Sequence, residues 1–179
     1  QQFLESYHMA REAGFSNINI DLMFAIPGQS YEGWIQNLRT VAKLGPEHIS
    51  AYSLIIEEGT PFSARKLDLP DEDTEYRMYE DVAAVLGKYG YYQYEISNYA
   101  KKDRNCRHNE GYWQRKDYLG LGLGAASLVG RERFTNTSDM SEYLENSGNL
   151  EKIRTDRETL TREDEMGEFM FLGPVSYTH

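Results

Sequence analysis

The sequence predicts an α/β protein built around a parallel sheet, and three observations carry that reading. Residues Ile18 to Ile26 are almost all apolar, the pattern of a strand buried on both faces. After the stop at Pro27-Gly28, Trp34, Leu38, Val41 and Ala42 recur at helical spacing. His48 to Ile56 is then a second apolar run. Strand, helix and strand in this order form a βαβ unit with a right-handed crossover.

The remaining elements follow from local signals. Gln1 to Ala13 is expected to be helical, with Phe3, Tyr7 and Ala10 on one face and Gly14 at the C′ position. Ser30 caps the next helix and Gly45-Pro46 ends it. Glu57 to Pro61 is a loop, and Pro70-Asp71-Glu72-Asp73 opens a helix whose acidic first turn suits its dipole. Met78, Tyr79, Val82, Val85 and Leu86 form the apolar stripe of that helix, which ends near Gly90. Tyr92, Tyr94 and Ile96 alternate with polar residues, as in a half-buried strand. Lys101 to Gln114 is polar and irregular, and Leu119 to Gly130 is rich in glycine and apolar residues. Ser138 is expected to cap a short helix with Met140, Tyr143 and Leu144, and Thr161 a last helix with Met166, Phe169 and Met170. Apolar residues thin out between Gly148 and Thr161, where a boundary is expected.

Composition narrows the function classes. A net charge of −10 over 179 residues argues against a basic nucleic-acid surface. With 40% hydrophobic residues the chain can build a core. No apolar run is long enough for a transmembrane helix, and the start carries neither a basic region nor an apolar signal core. The lone Cys106 excludes internal disulfides and points to a reducing, cytoplasmic setting. A single thiol holds neither a Cys₄ zinc ion nor an iron–sulfur cluster.

Three stretches can carry chemistry. Asp21 interrupts an apolar strand that ends at Pro27-Gly28, and ligands of parallel sheets collect beyond the strand C-termini. Its carboxylate either holds the hydroxyls of a ribose or accepts donors from the protein. In the run from Cys106 to Trp113, His108 is a candidate iron ligand. Tyr112 and Trp113 are candidates to stack on a flat macrocycle, and Arg107, Arg115 and Lys116 to pair with propionates. The alternative is a loop pinned by Asn109 and packed by its aromatics. Leu119 to Ser127 has glycines at 120, 122 and 124, which allow close backbone approach to a ligand or tight packing, but the dinucleotide spacing is absent. Glu57, Glu58 and Glu95 are too scattered to form a catalytic pair.

The order of these strings is more specific than any one of them. Asn19-Ile20-Asp21-Leu22-Met23, Pro27-Gly28-Gln29, His48-Ile49-Ser50-Ala51-Tyr52 and Tyr94 to Ala100 come first. His108-Asn109-x-x-Tyr112-Trp113 and Tyr118-Leu119-Gly120-Leu121-Gly122-x-Gly124-Ala125 follow. The series resembles the HemW family of radical SAM haem chaperones, relatives of the oxygen-independent coproporphyrinogen III oxidase HemN, over roughly residues 1 to 172. The H-N-x-x-Y-W string favours HemW over the oxidase.

The resemblance implies the C-terminal part of a partial (β/α)₆ radical SAM barrel. Residues 1–60 would be its last βα units, 61–148 an associated α+β region with the H-N-x-x-Y-W motif, and 149–179 the start of a helical domain. It places Asp21, Pro27, Gly28, Gly122, Gly124 and Ala126 on the S-adenosylmethionine side. His108, Asn109, Tyr112 and Trp113 would lie on the haem side, with His108 toward the iron. It implies a [4Fe–4S] cluster held by a C-x-x-x-C-x-x-C loop that this chain does not contain. Implied partners are haem and a haem-acceptor protein, membrane-associated acceptors included.

Two departures stand out: Ala126 replaces the His of the family's G-A-H-S string, and Pro174 to His179 matches nothing in the family. Two functions remain open, haem binding and delivery or radical oxidative decarboxylation of coproporphyrinogen III. An open barrel would expose a sheet edge and apolar faces, so poor solubility of this length of chain is expected.

Overall fold

The structure, a computed structural model, describes residues 2–173. Gln1 and the tail Pro174 to His179 lie outside the described residues. The fold is mixed α/β and divides into two compact units, residues 2–106 and 107–173.

The first unit opens with helix α1 (Gln2–Glu12). It ends as a paired turn, with Gly14 N bonded to Arg11 O, Phe15 N to Ala10 O, and Gly14 at φ 92°. Strand β1 (Asn19–Phe24), helix α2 (Tyr31–Leu44) and strand β2 (His48–Ser53) form the expected unit, and the two strands are parallel. Ser30 caps α2 by accepting from Gly33 N at 3.1 Å, and Gly45 ends it in the left-handed conformation. Helix α3 (Glu72–Gly87) starts at Asp71, whose side chain accepts from Thr74 N.

The strand expected across Tyr92 to Ile96 is shorter than its alternation suggests. It breaks into β3 (Tyr92–Gln93) and β4 (Asn98–Ala100), which turn back on each other in antiparallel pairing. Tyr94 N bonds Asn98 O to close that turn. β4 also pairs antiparallel with β2, so the sheet is mixed, in the order β1-β2-β4-β3.

Among the described residues only one face of β1 is covered, where its apolar run had suggested burial on both. Ile20 and Phe24 are buried while Asn19, Asp21 and Met23 are exposed. The reason is placement: the described helices that pack on this sheet, α2 and α3, lie on one side of it. There Phe24, Trp34, Leu38, Ile49, Met78, Val82 and Leu86 form a single core, and Trp34 Nε1 donates to Met78 O at 3.0 Å. The opposite face pairs Asn19 with His48, Asp21 with Ser50 and Met23 with Tyr52.

The second unit begins with helix α4 (Arg107–Trp113), inside the stretch expected to be irregular. Strands β5 (Ala126–Val129), β6 (Glu132–Asn136) and β7 (Arg154–Thr159) make an antiparallel sheet in that order. Helices α5 (Met140–Asn146) and α6 (Leu150–Ile153) connect β6 to β7. The cap of α5 is Asp139, one residue later than expected, because its carboxylate reaches Glu142 N at 2.8 Å. The stretch where apolar residues thin out thus carries α6 and β7, and β7 belongs to the sheet of β5 and β6. Helix α7 (Arg162–Leu172) starts at Thr161 with a reciprocal capping box to Asp164. No described helix is long and apolar enough to cross a membrane.

Candidate functional site

Helix α4 presents the H-N-x-x-Y-W residues. Its start puts His108 and Tyr112 one turn apart, and their rings meet edge to face with centroids 4.6 Å apart. Tyr112 meets Tyr118 in the same way, also at 4.6 Å. The imidazole is exposed, and its nitrogens have no hydrogen-bond partner among the described residues. Arg107, His108, Tyr112, Lys116, Asp117 and Tyr118 are among the residues that line a shallow hollow of about 160 Å³. Asn109 is half-buried on the same helix, and the buried Nε1 of Trp113 has no acceptor among the described residues.

The helix ends with Arg115 N bonded to Tyr112 O and Lys116 N to Gly111 O, which places Arg115 at φ 51°. Arg115 is not free to meet a propionate, as its position in the motif had suggested. Its Nε donates to Glu168 Oε2 at 2.6 Å, and its Nη1 lies 3.8 Å from Glu165. Arg133 joins the same Glu168 carboxylate. Burial pushes the Glu168 pKa up, but Arg133 and Arg115 outweigh it and hold the carboxyl below its ordinary value. Arg107 and Lys116 remain exposed beside His108.

The glycine-rich loop is held by its own unit. Asn136 Nδ2 donates to Gly122 O at 2.8 Å and to Gly120 O at 3.3 Å, and Gly120 N donates to Ser127 Oγ. A Cβ on Gly120 would lie 2.2 Å from Ala126 O. Gly122 and Gly124 have φ 109° and 66°, with open space where a side chain would stand. Ala126 is exposed at the start of β5.

In the first unit, Asp21 is exposed, and Oδ1 accepts from Asn19 Nδ2 at 2.7 Å. The carboxylate is thus neither buried nor unpaired, and the cost assumed for an Asp in a buried strand does not arise. Pro27 and Gly28 lie in the turn that follows the end of β1, with Gly28 at φ 74°. Gly28 N donates to Asp68 O at 2.8 Å. In the sequence His48 stands out only as the start of an apolar run and of one family string. The structure buries it, with Nδ1 2.6 Å from Asn19 Oδ1 and Nε2 2.7 Å from Tyr94 Oη. Burial lowers its pKa, and the nearby Asp21 opposes that shift. No sequence signal pointed to it, because its partners are 29 and 46 residues away.

The donor sets differ in what they fit. The exposed imidazole of His108, set against Tyr112 with Arg107 and Lys116 and the acidic Asp117 around it, offers a nitrogen ligand and two cations at the surface. The exposed Asp21 carboxylate, beside Asn19 and Ser50, fits a group with hydroxyl donors. Among the described residues, no three His, Cys, Asp or Glu side chains come together to hold a metal ion.

The whole arrangement of elements is found in a radical SAM enzyme. Coproporphyrinogen III oxidase (HemN) from Escherichia coli superposes with a TM-score of 0.82 at 22% identity, over 97% of this chain and 44% of that one. That likeness establishes the fold. No family model matches the chain. Proteins named "Heme chaperone HemW" do match it. The one from Bacillus subtilis is 38% identical over 172 residues, covering 94% of this chain and 45% of the relative. That from Lactococcus lactis is 35% identical over 176 residues, covering 96% and 46%. That from Escherichia coli is 40% identical over 129 residues, covering 72% and 34%. The chain belongs to the HemW family and spans about half the length of the first two of these relatives.

Proposed function

We propose that the chain is part of a haem chaperone of the HemW type, which binds haem at helix α4 and passes it to an acceptor protein in the cytoplasm. The observation that carries this is His108: an imidazole with open nitrogens set against Tyr112, which in turn meets Tyr118, with Arg107 and Lys116 lining the same hollow. A neutral imidazole ligates haem iron, the two phenol rings give a flat apolar ligand its contact area, and the two cations suit propionates. The names of the relatives support the same reading.

In this reading β1 and β2 are the last strands of a partial (β/α)₆ radical SAM barrel. Asp21, Pro27, Gly28, Gly122, Gly124 and Ala126 serve its S-adenosylmethionine side. The [4Fe–4S] cluster requires cysteines that residues 1–179 do not supply, since Cys106 is the only one. When bound, cluster and S-adenosylmethionine together supply radical chemistry. The part assigned to this chain is to offer the Asp21 carboxylate to hydroxyl donors.

The test is haem titration of the full-length protein and its His108→Ala variant, followed by the haem absorption band. The variant is expected to lose the ligand-field signature and at least ~10-fold in affinity, a difference of about 1.4 kcal/mol. Equal affinity and identical spectra would remove the assignment. The fold shared with the oxidase favours a second reading, decarboxylation of coproporphyrinogen III. It predicts protoporphyrinogen formation by the reconstituted full-length protein under anaerobic conditions.

A further inference from the structure

We propose that His48 is a positioning residue: a neutral imidazole protonated at Nδ1 that ties the Asp21 carboxylate to the residue preceding helix α4 through one directional chain of hydrogen bonds. The direction follows from the only group in the chain that cannot donate. An ionised carboxylate accepts, so the Asn19 atom 2.7 Å from Asp21 Oδ1 is the amide nitrogen. That turns Asn19 Oδ1 toward His48, where it lies 2.6 Å from Nδ1, and Ser50 Oγ also reaches it at 3.3 Å.

An amide oxygen needs a donor, so Nδ1 carries the hydrogen and Nε2 is left as an acceptor. Tyr94 Oη, 2.7 Å away, therefore donates to Nε2, and its oxygen accepts from Cys106 N at 3.2 Å. Every link points the same way: Cys106 N–H to Tyr94, Tyr94 O–H to His48, His48 N–H to Asn19, Asn19 N–H to Asp21. Aligned dipoles of this kind strengthen one another where water is excluded. His48 and Tyr94 are 5% and 1% exposed, so the middle of the chain is dry.

The arrangement does two things for the molecule. It fixes which oxygen of Asp21 faces the protein and leaves Oδ2 for a ligand. It also makes the protonation pattern at His48 depend on the charge of Asp21, which couples that carboxylate to Cys106, one residue before the helix that carries His108. The significance for S-adenosylmethionine rests on the reading of Asp21 given above; the hydrogen-bond chain itself does not.

The test uses full-length protein labelled with ¹⁵N at histidine, with long-range ¹H–¹⁵N spectra reporting the tautomer of His48. The Nδ1–H form is expected at neutral pH. In Asp21→Asn the residue at 21 can donate, the Asn19 amide is free to turn over, and the Nε2–H form is expected to appear. An Nε2–H imidazole in the parent protein, or an unchanged tautomer in Asp21→Asn, would overturn the proposal.

Hydrogen exchange at the Cys106 amide gives a second readout. Tyr94→Phe removes its acceptor and is expected to speed exchange about tenfold, whereas His48→Gln is expected to preserve protection, because its amide can donate to Asn19 and its carbonyl accept from Tyr94. Loss of Cys106 protection in His48→Gln equal to that in Tyr94→Phe would count against the chain. Addition of S-adenosylmethionine separates the two readings. Unmoved His48 signals with the expected tautomer would end the cofactor role of Asp21 and leave the hydrogen-bond chain standing.

Discussion

Residues 2–106 and residues 107–173 hold their shapes by different means. In the first stretch, two helices bury large side chains against one sheet face: Trp34, Leu38, Phe24, Met78 and Leu86 are all at most 2% exposed. In the second, Leu128, Phe134, Ile153 and Leu160 are buried, but Ser127, Asn136 and Thr137 are buried with them. The glycine loop hangs on Asn136, and α7 is tied by Arg115, Arg131 and Arg133 to Glu165 and Glu168. The first region places Asp21 and His48 on a rigid sheet. The second presents His108 on a short helix whose geometry depends on polar bonds and one strained residue. Buried apolar contact makes the first region the harder to open locally, and reliance on polar bonds makes the second the easier.

The largest effect expected from this contrast is in Trp34→Ala. Removing a buried indole that also donates to Met78 O should cost about 4 kcal/mol. Denaturant unfolding of the full-length protein measures it, and hydrogen exchange should show protection lost across β1, β2 and α3 more than across β5 and β6. An equal loss everywhere would break the distinction between the regions.

Next is Gly120→Ala. Its new methyl would meet Ala126 O at 2.2 Å, so the loop must shift, at a cost of about 3 kcal/mol. The loss should appear at β5 and β6. A variant as stable as the parent would mean that the loop is not tightly held.

The third is a pH effect confined to the first region. His48 titrates below its ordinary value of 6.5 because burial disfavours its charge. The unfolded chain therefore takes up a proton before the folded one does. Stability is full above pH 6.5 and falls as pH drops from there toward the folded value, by at most about 1.4 kcal/mol per pH unit. His48→Gln should flatten that slope. An unchanged slope in the variant would assign the acid response to other groups.

The smallest effect is expected at Arg115→Gly. Glycine relieves about 1 kcal/mol of strain at φ 51°, and loss of the contacts to Glu165 and Glu168 costs a similar amount. Melting should shift by a degree or two, toward lower temperature at low salt. A loss of several kcal/mol would show that the ion network, rather than the sheet, holds the second region.

The features legible in advance are those whose cause lies within a few residues. Ser30 and Gly45 bracket α2, Gly14 ends α1, and Thr161 caps α7, because a cap bonds an amide three positions away. Spacing of Trp34, Leu38 and Val41 marked the buried stripe. The same local rules missed α4. Arg107 to Trp113 is polar, short and contains Gly111, and it is helical with help from the His108–Tyr112 contact and the turn at Arg115. They also misplaced the α5 cap, because Ser138 and Asp139 are both competent and only the folded chain shows which reaches Glu142.

The sequence alone determined the α/β class, the parallel pairing around α2, and the His108-to-Trp113 string that names the family. Each depends on periodicity, caps or the order of short motifs, all written along the chain. Tertiary structure alone decided that β1 has one open face, that Arg115 belongs to Glu168, and that His48 stands between Asn19 and Tyr94. Those facts depend on which distant backbones pair, and pairing brings together side chains whose separation along the chain carries no local signal.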